Sequence, residues 1–188
     1  VLKNDEARAN VLCLDLSKPE YAILFKTDSN SFNQTLTSDG DIQTIARWPN
    51  GEFARAEIVD NSGALSLISA DPKQIADWSS SPTFGWSGYG SVDWSDVWFF
   101  EGVTFDADRN AICVPNSKIV YPPVLSNMPY FVFNLLCELD EPGEYYRDDE
   151  NKILYYWPSS DIAAARLTVS ANSETAISLE DVKYITVK

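Results

Sequence analysis

FVFNLLCELDEPGEYYRDDENKILYYWP, Phe131 to Pro158, decides how the chain folds. It reads as three pieces. Asn134 to Leu139 is apolar but for Asn134, Cys137 and Glu138, and is long enough for one or two helical turns. Asp140-Glu141-Pro142-Gly143 stops it, because Pro142 cannot extend a helix and Gly143 accepts a positive φ. A hairpin follows, with one strand at Glu144 to Arg147, a polar loop at Asp148 to Asn151 and a second strand at Lys152 to Trp157. Tyr145, Tyr146, Tyr155, Tyr156 and Trp157 put large rings on both faces, and such rings favour strands and pair well across them. The inward ring of Tyr155 or Trp157 is expected to anchor a core with Leu135, Leu136, Leu139 and Val97.

Outward from that hairpin, the chain is long enough at 188 residues for one domain with a substantial core. Aromatic residues make up 13%, and they recur with Thr and Val in short runs, with few segments of helical period. That pattern predicts an all-β fold, an antiparallel β-sandwich or distorted β-barrel with one or two short helices. The net charge of −14 repels phosphate backbones and anionic bilayers, so neither nucleic acid nor membrane is an expected partner. No histidine occurs, which removes Ser-His-Asp and Cys-His catalysis and any His-ligated zinc. Cys13, Cys113 and Cys137 each lie in an apolar run and read as buried thiols, with one disulfide left open. The first residue is Val1 rather than Met, which reads as a piece excised from a longer protein.

In chain order, Asp5 to Asn10 predicts a helical turn, and Val11 to Leu16 and Tyr21 to Lys26 predict strands. Thr27 to Gly40 is polar and reads as a loop or weak hairpin. Ile42 to Trp48, Phe53 to Val59 and Leu65 to Ser69 predict strands. Lys73 to Trp78 predicts a short helix, with Asp71 as N-cap and Pro72 at the first position. Val97 to Phe100, a hairpin of Val103 to Asp106 and Ala111 to Val114, Ser117 to Tyr121, and Arg166 to Ser170 are further strands. No fixed-period repeat is present.

SSSPTFGWSGYGSVDWS, Ser79 to Ser95, stands apart. Glycines alternate with rings and there is little aliphatic material, so it reads as an aromatic loop. One reading folds the rings back onto the domain. The other uses them as flat faces for sugar C–H groups: Trp86, Tyr89, Trp94 and Trp98 as the rings, with Asp93 or Asp96 accepting hydroxyl hydrogens. Asp148, Asp149 and Glu150 read as a solvated turn, since the calcium-loop pattern is absent. No catalytic residue, metal ligand or cofactor site is predicted.

The string ELDEPGEYY, then an acidic turn, then KILYYWP resembles a signature of bacterial right-handed parallel β-helix glycosidases, of the glycoside hydrolase family 141 type with family 120 as a relative. ARWPN at Ala46 to Asn50 is a second matching block. VLKNDEARANVLCLDLS at Val1 to Ser17 and ISLEDVKYITV at Ile177 to Val187 resemble the lead-in and the strand that re-enters the β-helix. FFEGVTFDADRNAI departs from the family pattern, which places tryptophans there.

The resemblance implies residues 1–10 as lead-in, 11–175 as an inserted all-β domain and 176–188 as the start of a rung, with the two chain ends close together. It also implies catalytic acids on the host β-helix, outside this chain. The expected role is a non-catalytic insertion domain of a secreted carbohydrate-active enzyme, walling or supporting its cleft. Its partners would be the host β-helix and carbohydrate, and its location extracellular, cell-surface or periplasmic. The alternatives are an autonomous carbohydrate-binding module and an interaction domain for another protein. For ARWPN the residues alone favour a structural role, with Arg47 on a carboxylate, Trp48 packed and Pro-Asn-Gly turning, over a ligand role.

Overall fold

The computed structural model describes residues 2–3, 5–25, 35–81, 84–89, 97–101, 103–119, 123–170 and 183. The chain starts with α1 (Asp5–Asn10) and β1 (Leu12–Asp15). Next come β2 (Leu36–Ser38), β3 (Asp41–Ile42), β4 (Thr44–Ile45), β5 (Arg47–Trp48), β6 (Ala54–Arg55), β7 (Ile58–Asp60) and β8 (Leu65–Ser69). Helix α2 (Pro72–Trp78) leads to β9 (Gly85–Tyr89), β10 (Val97–Glu101), β11 (Thr104–Asp106) and β12 (Ala111–Pro115). The last elements are β13 (Pro129–Phe133), β14 (Glu144–Asp148), β15 (Ile153–Tyr156) and β16 (Leu167–Val169). The fold is all-β, as its alternating aromatic and β-branched runs predict.

Among the described residues four sheets carry the strands. The first runs β1-β15-β14-β4, the second β10-β9-β13-β5 with β6 also on β13, the third β11-β12-β8-β7, and the fourth β16-β2-β3. All pairings are antiparallel except β4 on β14. The second and third sheets enclose the largest core, where Trp86, Tyr130 and Val132 meet Ile68, Ile112 and Val114, with Trp78 of α2 at its side. A second core lies where Tyr145, Leu154 and Tyr156 of the first sheet meet Leu36 of the fourth. A third joins Ala7 of α1 to Ala46, Leu139, Tyr146 and Trp157. Trp157 is therefore a core ring, as expected, but its cluster contains Leu139 with Leu136 at the margin, whereas Leu135 belongs to the largest core. The side chain of Val97 lies outside the described part.

Helix α2 forms where expected. Oδ1 of Asp71 accepts the N–H of Lys73 at 2.7 Å, and Pro72 occupies the first turn, where its missing N–H costs nothing. The β11–β12 and β14–β15 hairpins also match the reading, and Gly143 takes φ +91°.

Several expectations need correction. Ile42 to Trp48 is not one strand: β3, β4 and β5 belong to three different sheets. Ala46 makes the handover, giving its N–H to Tyr145 and accepting at its carbonyl from Asn134, so no backbone group is stranded between sheets. Phe53 to Val59 likewise splits, with β6 on β13 and β7 on β8. Tyr21 to Lys26 was expected as a strand, but Pro19–Phe25 is a 3-10 segment, started by Pro19 and closed by Tyr21 N–H to the Lys18 carbonyl. Ser117 to Tyr121 opens with a 3-10 turn at Asn116–Lys118, pinned by the Asn116 amide, which donates to Gly63 and accepts from Ser66 Oγ. Cys13 is exposed on β1 rather than buried, because β1 is an edge strand with no cover, while Cys113 and Cys137 are buried; all three thiols are free. The expected rung at 176–188 and the closeness of the chain ends lie outside the described residues.

Candidate functional site

The strings ARWPN and DEPGEYY meet in space. β4 lies parallel to β14, the strand that carries the Glu144-Tyr145-Tyr146 end of DEPGEYY, and β5 lies antiparallel to β13, so the ARWPN segment runs from the one strand to the other. Asn50 Nδ2 donates to Asp140 Oδ1 at 2.9 Å. Asn134, fully buried, pairs its amide with both backbone groups of Arg147 at 2.9 Å each, extending the contact by side chain where the strands part. The DEPG turn is held by Glu144, whose Oε2 accepts the N–H groups of Asp140 and Glu141 at 2.9 and 3.1 Å. Burial pushes the Glu144 carboxyl up to about 8, against the lowering effect of those two bonds, so it carries a proton at neutral pH.

Arg47 does not meet a carboxylate, as the sequence suggests it should. Nε donates to the Pro49 carbonyl at 2.8 Å and Nη2 to the Glu52 carbonyl at 2.5 Å, so the guanidinium clamps the Pro-Asn-Gly loop after the cis Trp48–Pro49 peptide. Its Cζ lies 3.8 Å from the Phe131 ring centroid and 5.5 Å from that of Phe53. Phe53 is 41% exposed, and Arg47 and Phe131 are half-buried, so the three form a shelf at the surface. Burial lowers the Arg47 pKa, and an ionised Glu144 would oppose this. Trp48 turns inward and packs against Trp78 and Tyr130, as expected. A cation and a ring six residues apart, flanking Pro-Asn-Gly, were the available signal for this shelf.

A second polar feature is a cleft of about 690 Å³ between the N-terminal segment and α2, lined by Leu2, Lys3, Arg8, Asp71, Lys73 and Asp77. Nearby, Glu138 is 3% exposed; its Oε1 accepts Trp78 Nε1 at 2.5 Å and also pairs with Lys3 Nζ. Burial opposes the charge on Lys3, but the bond and charge of Glu138 raise its pKa. Burial pushes the Cys137 thiol up to about 11, so it is no nucleophile at neutral pH. An acid inside the apolar run FNLLCEL is a sequence signal for a buried partner, but nothing local points 135 residues away to Lys3.

The sugar-contact residues proposed from sequence do not form one described surface. Gly85 to Tyr89 is a central strand, β9, and not a loop. Trp86 has no exposure and stacks on Tyr130 in the largest core, so its ring offers no platform. Tyr89 stands opposite Val97, and Trp98 opposite Gly88, in the β9–β10 register; their side chains lie outside the described part. Asp93, Trp94 and Asp96 lie outside the described residues. Among the described residues no group of three or more Cys, Asp or Glu is placed to hold a metal ion.

No protein-family model matches the chain, and no curated protein matches it. Among solved structures, one described as a glycoside hydrolase superposes with a TM-score of 0.60 at 15% identity, over 89% of this chain and 30% of that one. The chain has the fold of part of a glycoside hydrolase. It spans less than a third of that protein's length, and at this identity the likeness speaks to fold alone.

Proposed function

We propose that this chain is a non-catalytic all-β domain of a carbohydrate-active enzyme, inserted in a larger β-helical body and supporting or walling its cleft. The observation that supports it most is the superposition on 30% of a glycoside hydrolase, which leaves most of that protein to carry other elements. The motif chemistry is in keeping with a supporting role. Asn50 and Asp140 bond one another, and Arg47 and Glu144 bond backbone groups of their own turns. In this reading residues 1–10 lead in from the host, 11–175 form the domain, 176–188 return to the host, and the parent acts outside the cytoplasm on a polysaccharide or glycan.

The test has two arms. The 188-residue chain alone is expected to release nothing from a panel of chromogenic glycosides and polysaccharides. Removing 11–175 from the parent, with its ends rejoined, should lower kcat/KM on polymer by about tenfold or more, because a misplaced cleft wall loses orientation. Glycosidic cleavage by the chain alone, or full activity without it, would overturn the reading.

A further inference from the structure

Three described arginines take carboxylates: Arg8 meets Asp5, Arg109 meets Asp60 and Asp106, and Arg147 meets Asp149. Arg47 differs from these. It is half-buried in a chain with 28 acidic residues, yet among the described residues no carboxylate lies within ion-pair distance of it. Of the five N–H groups a guanidinium carries, two are taken by the Pro49 and Glu52 carbonyls. The other three have no acceptor among the described residues. Glu144, the acid whose charge acts on it, makes no ion pair with it and spends Oε2 on the N–H groups of Asp140 and Glu141. A partly desolvated cation without a carboxylate in contact is costly, and the fold leaves it beside an exposed ring, Phe53, and a half-buried one, Phe131.

We propose that Arg47, Phe53 and Phe131 form a binding shelf for a carboxylate-bearing sugar, a uronate residue of an acidic polysaccharide. The guanidinium edge takes a carboxylate through two parallel N–H bonds, a geometry lysine cannot reproduce. The Phe53 ring, 5.8 Å from that of Phe131, supplies the apolar surface on which the C–H face of a pyranose rests. A singly charged carboxylate also suffers less repulsion than a phosphate dianion from a protein of net charge −14. The clamp to Pro49 and Glu52 fixes the guanidinium before the ligand arrives, so little side-chain freedom is lost on binding. This assignment rests on the carbohydrate-related role proposed above, whose test is independent of it.

The arginine Nε–Hε signals and aromatic signals of the whole chain report the site directly. Titration with trigalacturonate should shift the Arg47, Phe53 and Phe131 signals to saturation at up to about 10 mM, a range suited to weak single-sugar contacts. The methyl ester of the same trisaccharide keeps the rings and removes the charge, and should bind at least about tenfold more weakly. Phe53→Ala leaves the clamp intact and should weaken binding by a similar factor; Arg47→Lys tests the fork itself, with its fold checked by the same spectrum. Equal binding of acid and ester, equal binding of hexaglutamate, or no shift at these signals would each overturn the assignment. If the shelf is silent while removing residues 11–175 still impairs the parent enzyme, this inference alone fails.

Discussion

Replacing Lys3 by Met tests whether the N-terminal segment is held by charge as well as by packing. Glu138 is 3% exposed and keeps the Trp78 Nε1 bond when Lys3 is gone, so the carboxylate loses its cation but not all its partners. Breaking a fully buried ion pair from one side costs about 3–5 kcal/mol, and the surviving bond and the 34% exposure of Lys3 put this case below that range, at about 2–3 kcal/mol. Glu138→Gln should cost less, about 1–2 kcal/mol, because the Lys3 side chain is 34% exposed and can turn to water. The double variant should be more stable than Lys3→Met alone, since the orphaned charge is then absent. Urea unfolding of the four proteins measures this cycle, and hydrogen exchange at residues 5–10 shows whether α1 loosens first. A Lys3→Met cost below about 0.5 kcal/mol, the ordinary surface value, would refute the reasoning.

Two further outcomes follow from the same geometry. The folded chain keeps the Glu144 proton up to a pH of about 8, while the unfolded chain releases it near 4.5, so this group's stabilising contribution is full below about 4.5 and is lost as pH rises through 8. Glu144→Gln should remove that decline, worth at most about 5 kcal/mol across the window, as read from the difference between the two unfolding curves at each pH; parallel curves would show that Glu144 is not the group responsible. Gly88→Ala places a Cβ 2.2 Å from the Trp86 ring in the largest core, and should lower stability by about 1–3 kcal/mol in thermal unfolding; an unchanged Tm would show that the ring has room to move.

Much of the architecture was legible because it is local. The Asp71-Pro72 start of α2, the β14–β15 hairpin with its ring pairs, and the positive φ of Gly143 all rest on residues close in sequence. The segments that misled are those where the chain changes sheets. Ile42 to Trp48 has the composition of one strand, and only the exchange at Ala46 with Tyr145 and Asn134 divides it among three sheets. The same limit applies to the site. Trp86 has the look of a loop ring among glycines, but its burial depends on Tyr130, 44 positions on. Arg47 has a place to go that composition does not show, since carbonyls and ring faces leave no trace in a count of acids.

The strings ARWPN and DEPGEYY sit at joins between sheets. ARWPN carries the backbone from the first sheet, where β4 ends, to the second, and DEPGEYY forms the turn and strand beside it. Residues at such joins are constrained by several sheets at once, so their identities follow from the fold and not from any ligand. That is why a likeness in these strings, and a superposition over 89% of the chain, speak to architecture before chemistry. The exception is the outer edge of Arg47. Its inner bonds serve the join, but three of its N–H groups are left over from that duty, beside an exposed ring. A residue locked in place by structure with donors to spare is preorganised for a ligand, and it is there that recognition chemistry in this domain is most economically sought.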